Sequence, residues 1–82
     1  MIKPTKKQIG VIQEVMEDAL KSKALRVDVD GHLASIIFPS NVKVPKSMTE
    51  LREELMQRGF MMFYSSYVVD SEEVFSVNVT KL

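Results

Sequence analysis

The stretch from Leu25 to Ile36 constrains the fold more than any other part of the chain. Leu25, Val27 and Val29 alternate with Arg26, Asp28 and Asp30, the period of two that a half-buried strand requires. Asp30-Gly31 follows at once, a pair favoured in two-residue type I′ turns because both central residues there need positive φ. This predicts a hairpin over about 25–38, with Val29 opposite His32, Val27 opposite Ala34 and Leu25 opposite Ile36. All six then share one face, since side chains alternate along a strand. That face needs an apolar cover.

A helix over about 5–23 supplies the cover. Thr5 and Gln8 have capping-box spacing, in which hydroxyl and amide side chains each satisfy the other residue's backbone N–H. Ile9, Ile12, Met16, Ala19 and Leu20 recur at helical spacing, and Val11 and Val15 widen the apolar arc to about 180°, against the ~100° a surface helix usually needs. Burial on two sides is expected. Gly10 inside this helix costs about 1 kcal/mol relative to alanine, and close approach of another backbone is the account it suggests. Glu17 and Lys21 are spaced as an i,i+4 ion pair.

The pattern then repeats. Pro39-Ser40-Asn41 ends the hairpin, and Val42-Lys43-Val44-Pro45 reads as extended, because the residue before proline avoids the α region. Ser47 and Glu50 again have capping-box spacing, ahead of a stripe of Met48, Leu51 and Leu55 with Met56 beside it. Glu54 and Arg58 form a second i,i+4 pair, and Gly59 fits the left-handed position that stops a helix. A second hairpin is expected over about 60–80, turning at Asp70-Ser71-Glu72-Glu73. The fold class is α+β in the order α-ββ-α-ββ: one four-stranded antiparallel sheet with two helices packed mainly on one face. This is the ferredoxin-like βαββαβ order permuted by one strand. With 82 residues the chain is expected to form a single domain over 1–82.

A chain this short buries a modest share of its surface, and small proteins compensate with disulfides, metals or oligomers. Cysteine is absent and histidine occurs once, which excludes disulfides and thiolate metal sites and leaves a partner or a homodimer. No apolar h-region follows Met1-Ile2-Lys3-Pro4-Thr5-Lys6-Lys7, so a secretory signal is not expected. The longest apolar run, Phe60 to Tyr64, is five residues, far below the ~20 that span a bilayer. A cytoplasmic protein without membrane insertion is expected. Eleven acidic and eleven basic side chains balance, whereas dedicated nucleic-acid binders carry a basic excess.

Each chemical motif has an ordinary counterpart. Asp28-Val29-Asp30-Gly31 matches the middle of a calcium loop, but Arg26 and Ile37 would stand at its first and twelfth positions, where calcium needs oxygen ligands. The segment is a hairpin turn instead. His32 follows that turn without a nucleophile motif near Ser35, Ser65 or Ser66. Arg58-Gly59-Phe60 resembles the opening of the RNP1 signature of RNA-recognition domains. Met61 and Met62, however, occupy the places of the small residue and the stacking aromatic, and the segment follows a helix, not a strand and loop. No catalytic residue, cofactor or metal is expected.

The strand over 60–69 is the exception to the usual in–out pattern. Phe60, Met62, Tyr64 and Val68 point one way; Met61, Phe63, Tyr67 and Val69 point the other. A sheet with helices on one face normally keeps its second face polar. Two arrangements satisfy the pattern: a central strand with a helix on each face, or an interaction patch of Met61, Phe63, Tyr67 and Val69 joined by Leu33 and Ile37. The expected function is that of a small non-enzymatic protein-binding module, an inhibitor, adaptor or regulator of a larger protein of the kind made by phages and bacteria. The alternative is a nucleic-acid-binding regulator using Lys3, Lys6 and Lys7 on phosphates.

Overall fold

The computed structural model describes residues 3–82. Met1 and Ile2, which begin the N-terminal stretch considered above for a secretory signal, lie outside the described residues. The elements run α1 (Lys6–Leu20), β1 (Arg26–Asp30), β2 (Leu33–Pro39), α2 (Met48–Gln57), β3 (Phe60–Val69) and β4 (Glu72–Lys81). The strands form one antiparallel sheet in the order β1-β2-β4-β3. The α+β class and the helix–hairpin–helix–hairpin order are therefore those expected. Among the described residues, no helix is long and apolar enough to cross a membrane.

The register assigns every strand residue to a face. Ile36 and Phe38 of β2 lie opposite Val77 and Phe75 of β4, and Met62 of β3 lies opposite Val79. These residues join Ile12, Met16 and Leu20 of α1 and Met48 and Leu55 of α2 in one buried cluster. Both helices therefore cover the same face of the sheet. β4, last in the chain, is central, so β2, α2 and β3 form a split βαβ unit with β4 inserted between its strands.

Local chemistry accounts for the element ends. Thr5 and Gln8 form the capping box, with Thr5 N donating to Gln8 Oε1 at 2.9 Å and Gln8 N donating to Thr5 Oγ1 at 3.2 Å. α1 ends three residues before the expected Lys23, because Lys21 turns left-handed at φ 52° and Ser22 N donates to Glu17 O at 3.2 Å, the six-to-one bond of a Schellman stop. The expected Glu17–Lys21 ion pair does not form. Instead Glu17 Oε2 accepts from Ala24 N at 2.7 Å, fastening the α1–β1 connection. A carboxylate that accepts this bond holds its proton less tightly, so the Glu17 pKa falls below its ordinary 4.5, with Ala24 N–H the largest cause. The contribution to stability is then complete above about pH 4.5 and is lost as the pH falls through the lower folded value. The melting-temperature gap between wild type and Glu17→Gln is expected to be constant near neutral pH and to close on acidification.

Gly10 is exposed, and a Cβ placed there meets nothing within 4 Å. Close backbone approach within the chain is not its reason. Val11 and Val15 are also exposed, so α1 is buried on one side only. Ser47 is αR and makes no capping bond, so the second capping box does not form. Gly59 has φ 90° and ends α2 as expected, and Arg58 Nη2 lies 3.0 Å from Glu54 Oε1.

Both turns differ from expectation by a short shift. In the first hairpin Asp30 pairs with Leu33, Val29 with Ala34 and Val27 with Ile36. The turn residues are Gly31 and His32, with positive φ at Gly31 alone, which fits a type II′ turn. The pairing slides by two positions, so the face assignment survives. Its burial is uneven, because β1 is an edge strand: Ala34 and Ile36 are buried, whereas Leu25, Val29 and His32 are exposed. In the second hairpin Val69 pairs with Glu72, which narrows the turn to Asp70-Ser71, both left-handed at φ 49° and 67°. This type I′ turn contains no glycine. Ser71→Gly is expected to stabilise the chain by about 1 kcal/mol, seen in urea denaturation, because the left-handed region costs an L-residue roughly that much.

Candidate functional site

The face away from the helices forms a shallow trough. The register lays it out in rows across β2, β4 and β3: Leu33–Thr80–Met61, then Ser35–Asn78–Phe63, then Ile37–Ser76–Ser65, then Pro39–Val74–Tyr67. Along β4 the floor is small and polar at Ser76, Asn78 and Thr80. Ser35 Oγ donates to Asn78 Oδ1 at 2.8 Å and Ser76 Oγ to the same oxygen at 2.9 Å. Ser76, Asn78 and Thr80 are buried although no helix covers them, because larger side chains stand on both sides.

Thr80 Oγ1 is the one buried side-chain polar atom without a hydrogen-bond partner among the described residues. An unpaired buried hydroxyl costs about 1–3 kcal/mol. Thr80→Val, nearly isosteric, is expected to raise stability by about 1 kcal/mol in urea denaturation.

The β1 side of the trough carries Arg26, whose Nε lies 2.9 Å from Asp28 Oδ2. Asp28 raises the Arg26 pKa first by this hydrogen bond and by its charge; Tyr67 and Asp70 add smaller contributions. Those two groups belong to the opposite edge of the sheet, nominally three strand spacings of ~4.8 Å away.

The β3 side carries the aromatics. Of the residues expected to form the patch, Phe63 and Tyr67 are 44% and 40% exposed, and Met61, Val69 and Leu33 are half-buried. Ile37 is 0% exposed; it belongs to the trough floor and presents no surface. Sequence patterning also missed Tyr64 and Val68, which lie on the helix-side face yet remain exposed, Val68 at 63%. The Tyr64 ring lies 5.6 Å from that of Phe75, tilted by 38°, and the part of β3 from Phe63 to Val68 is exposed.

The strand order adds what patterning could not supply. β3 is an edge strand of ten residues with no charge and no proline, so it is not a central strand with a helix on each face. The two-residue turn makes Val69 and Glu72 a hydrogen-bonded pair, and such pairs alternate along an antiparallel ladder. Tyr67, Ser65, Phe63 and Met61 therefore direct N–H and C=O toward β4. Met62, Tyr64, Ser66 and Val68 direct theirs outward, and among the described residues those groups have no other hydrogen-bond partner. Natural edges are usually blunted by charges, proline or shortness. β1, the other edge, is five residues long and carries Arg26, Asp28 and Asp30; β3 has none of these devices.

The remaining candidates stay apart. His32 is exposed at the first turn and makes no side-chain hydrogen bond among the described residues. Lys3, Lys6 and Lys7 are exposed at the start of α1. An apolar groove of about 210 Å³ runs between α1 and α2, lined by Val11, Val15, Leu55 and Phe60 with Lys7 and Arg58 at its rim. No group of three His, Asp or Glu side chains able to hold a metal ion occurs among the described residues. No family model matches this chain, nor does any curated protein or solved structure.

Proposed function

We propose that the chain is a non-enzymatic protein-binding module, an inhibitor, adaptor or regulator, that engages its partner through β3. One observation carries this reading: a ten-residue edge strand without charge or proline, bearing exposed Phe63, Tyr64, Tyr67 and Val68. Such an edge offers a partner strand a row of backbone donors and acceptors, and alternate side chains supply selectivity. Tyrosine and phenylalanine are enriched where interfaces are most buried. Met61, Val69 and Leu33 extend the apolar surface around them.

Immobilised protein, presented to an extract of its native host, is expected to retain a specific protein. Phe63→Glu and Tyr67→Glu, checked for unchanged circular dichroism, are expected to lower that retention at least ~10-fold, as loss of a central aromatic anchor does. Equal retention by wild type and both variants refutes the assignment to β3.

A further inference from the structure

We propose that the occupant of the β3 edge is β3 of a second copy of this chain, paired antiparallel about a two-fold axis at Ser65, so that two four-stranded sheets become one. The proposal rests on the β3 binding surface proposed above and names its partner.

The side-chain pattern sets this register, the backbone accommodates it, and the flanking charges favour its antiparallel sense. The outer-face residues Met61, Phe63, Ser65, Tyr67 and Val69 form a palindrome of side-chain class: apolar, aromatic, serine, aromatic, apolar. A two-fold at Ser65 sets Phe63 opposite Tyr67 of the other copy twice, and Met61 opposite Val69 twice. Self-complementarity of this kind is what an isologous interface demands. A helix-side pair follows from the same register, Met62 against Val68.

The second feature is the backbone. Ser65 directs its N–H and C=O toward β4, so across the new seam Ser65 faces Ser65 as a non-hydrogen-bonded pair. Tyr64 and Ser66, whose groups point outward, then form the hydrogen-bonded pairs on either side. Phe63 and Tyr67 fall in the non-hydrogen-bonded class, where side chains approach most closely, and aromatic cross-strand pairs there add to sheet stability.

The third feature is charge. β3 itself is uncharged, but Arg58 precedes it and Asp70, Glu72 and Glu73 follow it. Antiparallel pairing at Ser65 brings the Arg58 end of each β3 to the end of the other that leads into Asp70. Parallel pairing would set like charges together, so the flanking charges select the antiparallel arrangement.

The test uses the full chain, which has no native cysteine. Light scattering from about 1 µM to about 500 µM, the range in which small seams associate, is expected to show conversion of the 9.3 kDa monomer to twice that mass. Ser65→Cys places two sulfurs on the axis. Directly opposite non-hydrogen-bonded residues have Cα atoms about 4.5 Å apart, within disulfide range. Mild oxidation is expected to cross-link Ser65→Cys at least ~10-fold faster than Thr49→Cys, an exposed reference on α2. Ser66→Pro removes an outward N–H and no intrachain ladder bond, a replacement edge strands tolerate. It is expected to weaken association roughly 10- to 100-fold, for two lost hydrogen bonds per dimer. If Ser66→Pro does not fold, Ser65→Lys, which opposes two like charges on the axis, is expected to give the same loss. A 9.3 kDa mass throughout, or equal cross-linking at positions 65 and 49, overturns the proposal. If the chain is monomeric yet still retains a host protein through Phe63 and Tyr67, the pairing with a second copy fails and the binding-module reading stands. If it dimerises as described but retains no other protein, the pairing stands and the binding-module reading fails.

Discussion

Phe38→Ala is expected to remove a large share of the chain's stability, lowering it by about 3–5 kcal/mol in urea denaturation, the range for deleting a buried phenylalanine. Phe38 is 0% exposed and sits in β2 opposite Phe75, in the cluster that joins both helices to the sheet. The cluster that would have to close the void is drawn from different elements, with Phe75 of β4 directly opposite Phe38 and Met16, Leu20 and Met48 supplied by the two helices. Collapse of a helix onto such a gap pulls at the sheet register, so the site relaxes only partly and the cavity persists. The whole chain of 82 residues has roughly 4–12 kcal/mol of stability at the usual ~0.05–0.15 kcal/mol per residue. A fall in melting temperature of about 15–30 °C follows for a chain of this size. A loss below about 1 kcal/mol contradicts the placement of Phe38 at the centre of the core.

Ile37→Ala is expected to cost about 2–4 kcal/mol, measured the same way, as for other buried isoleucines. Sequence patterning assigns Ile37 to the exposed patch with Phe63 and Tyr67, and an interface residue truncated in the free chain should leave stability nearly unchanged. The structure buries Ile37 completely on the face without helices, in the row with Ser76 and beside Arg26 of β1. Phe63→Ser, two strands away at the rim of the same trough, is expected to change stability by less than about 1 kcal/mol, because 44% of Phe63 is already in water. The pair separates floor from rim. Equal effects at the two positions contradict the division of this face into a buried floor and an exposed rim.

Much of the architecture was legible because it depends on neighbours in the chain. The capping box at Thr5 and Gln8, the helix stop at Gly59 and the Glu54–Arg58 pair all act within one helical turn, where residue type and spacing are the whole of the chemistry. The hairpin pattern was legible for the same reason, although turn chemistry alone shifted the first register by two residues. Asp30-Gly31 suits a type I′ turn, but the structure uses Gly31-His32, which needs positive φ only at the glycine. Ser47 and Glu50 show the limit of a spacing rule: the residues stand at the right interval, but Ser47 adopts αR geometry and its hydroxyl makes no cap.

The candidate surface divides along the same line. That β3 has apolar side chains on both faces is a property of the sequence, and so is the absence of charge and proline over Phe60–Val69. Whether those features mark a buried central strand or an open edge depends on which strands pair, and pairing between distant segments leaves no local trace in residue order. The tertiary structure decides it by placing β4 in the centre. There Phe75, Val77 and Val79 reach the helices, while Ser76, Asn78 and Thr80 stay small enough to be covered by side chains from both sides. β3 is thereby left at the margin with its outward N–H and C=O groups unpaired. By itself the sequence determined the elements, their order and an unusually apolar strand. Only the packing of all four strands made that strand an edge, because an edge is defined by the neighbour that is missing.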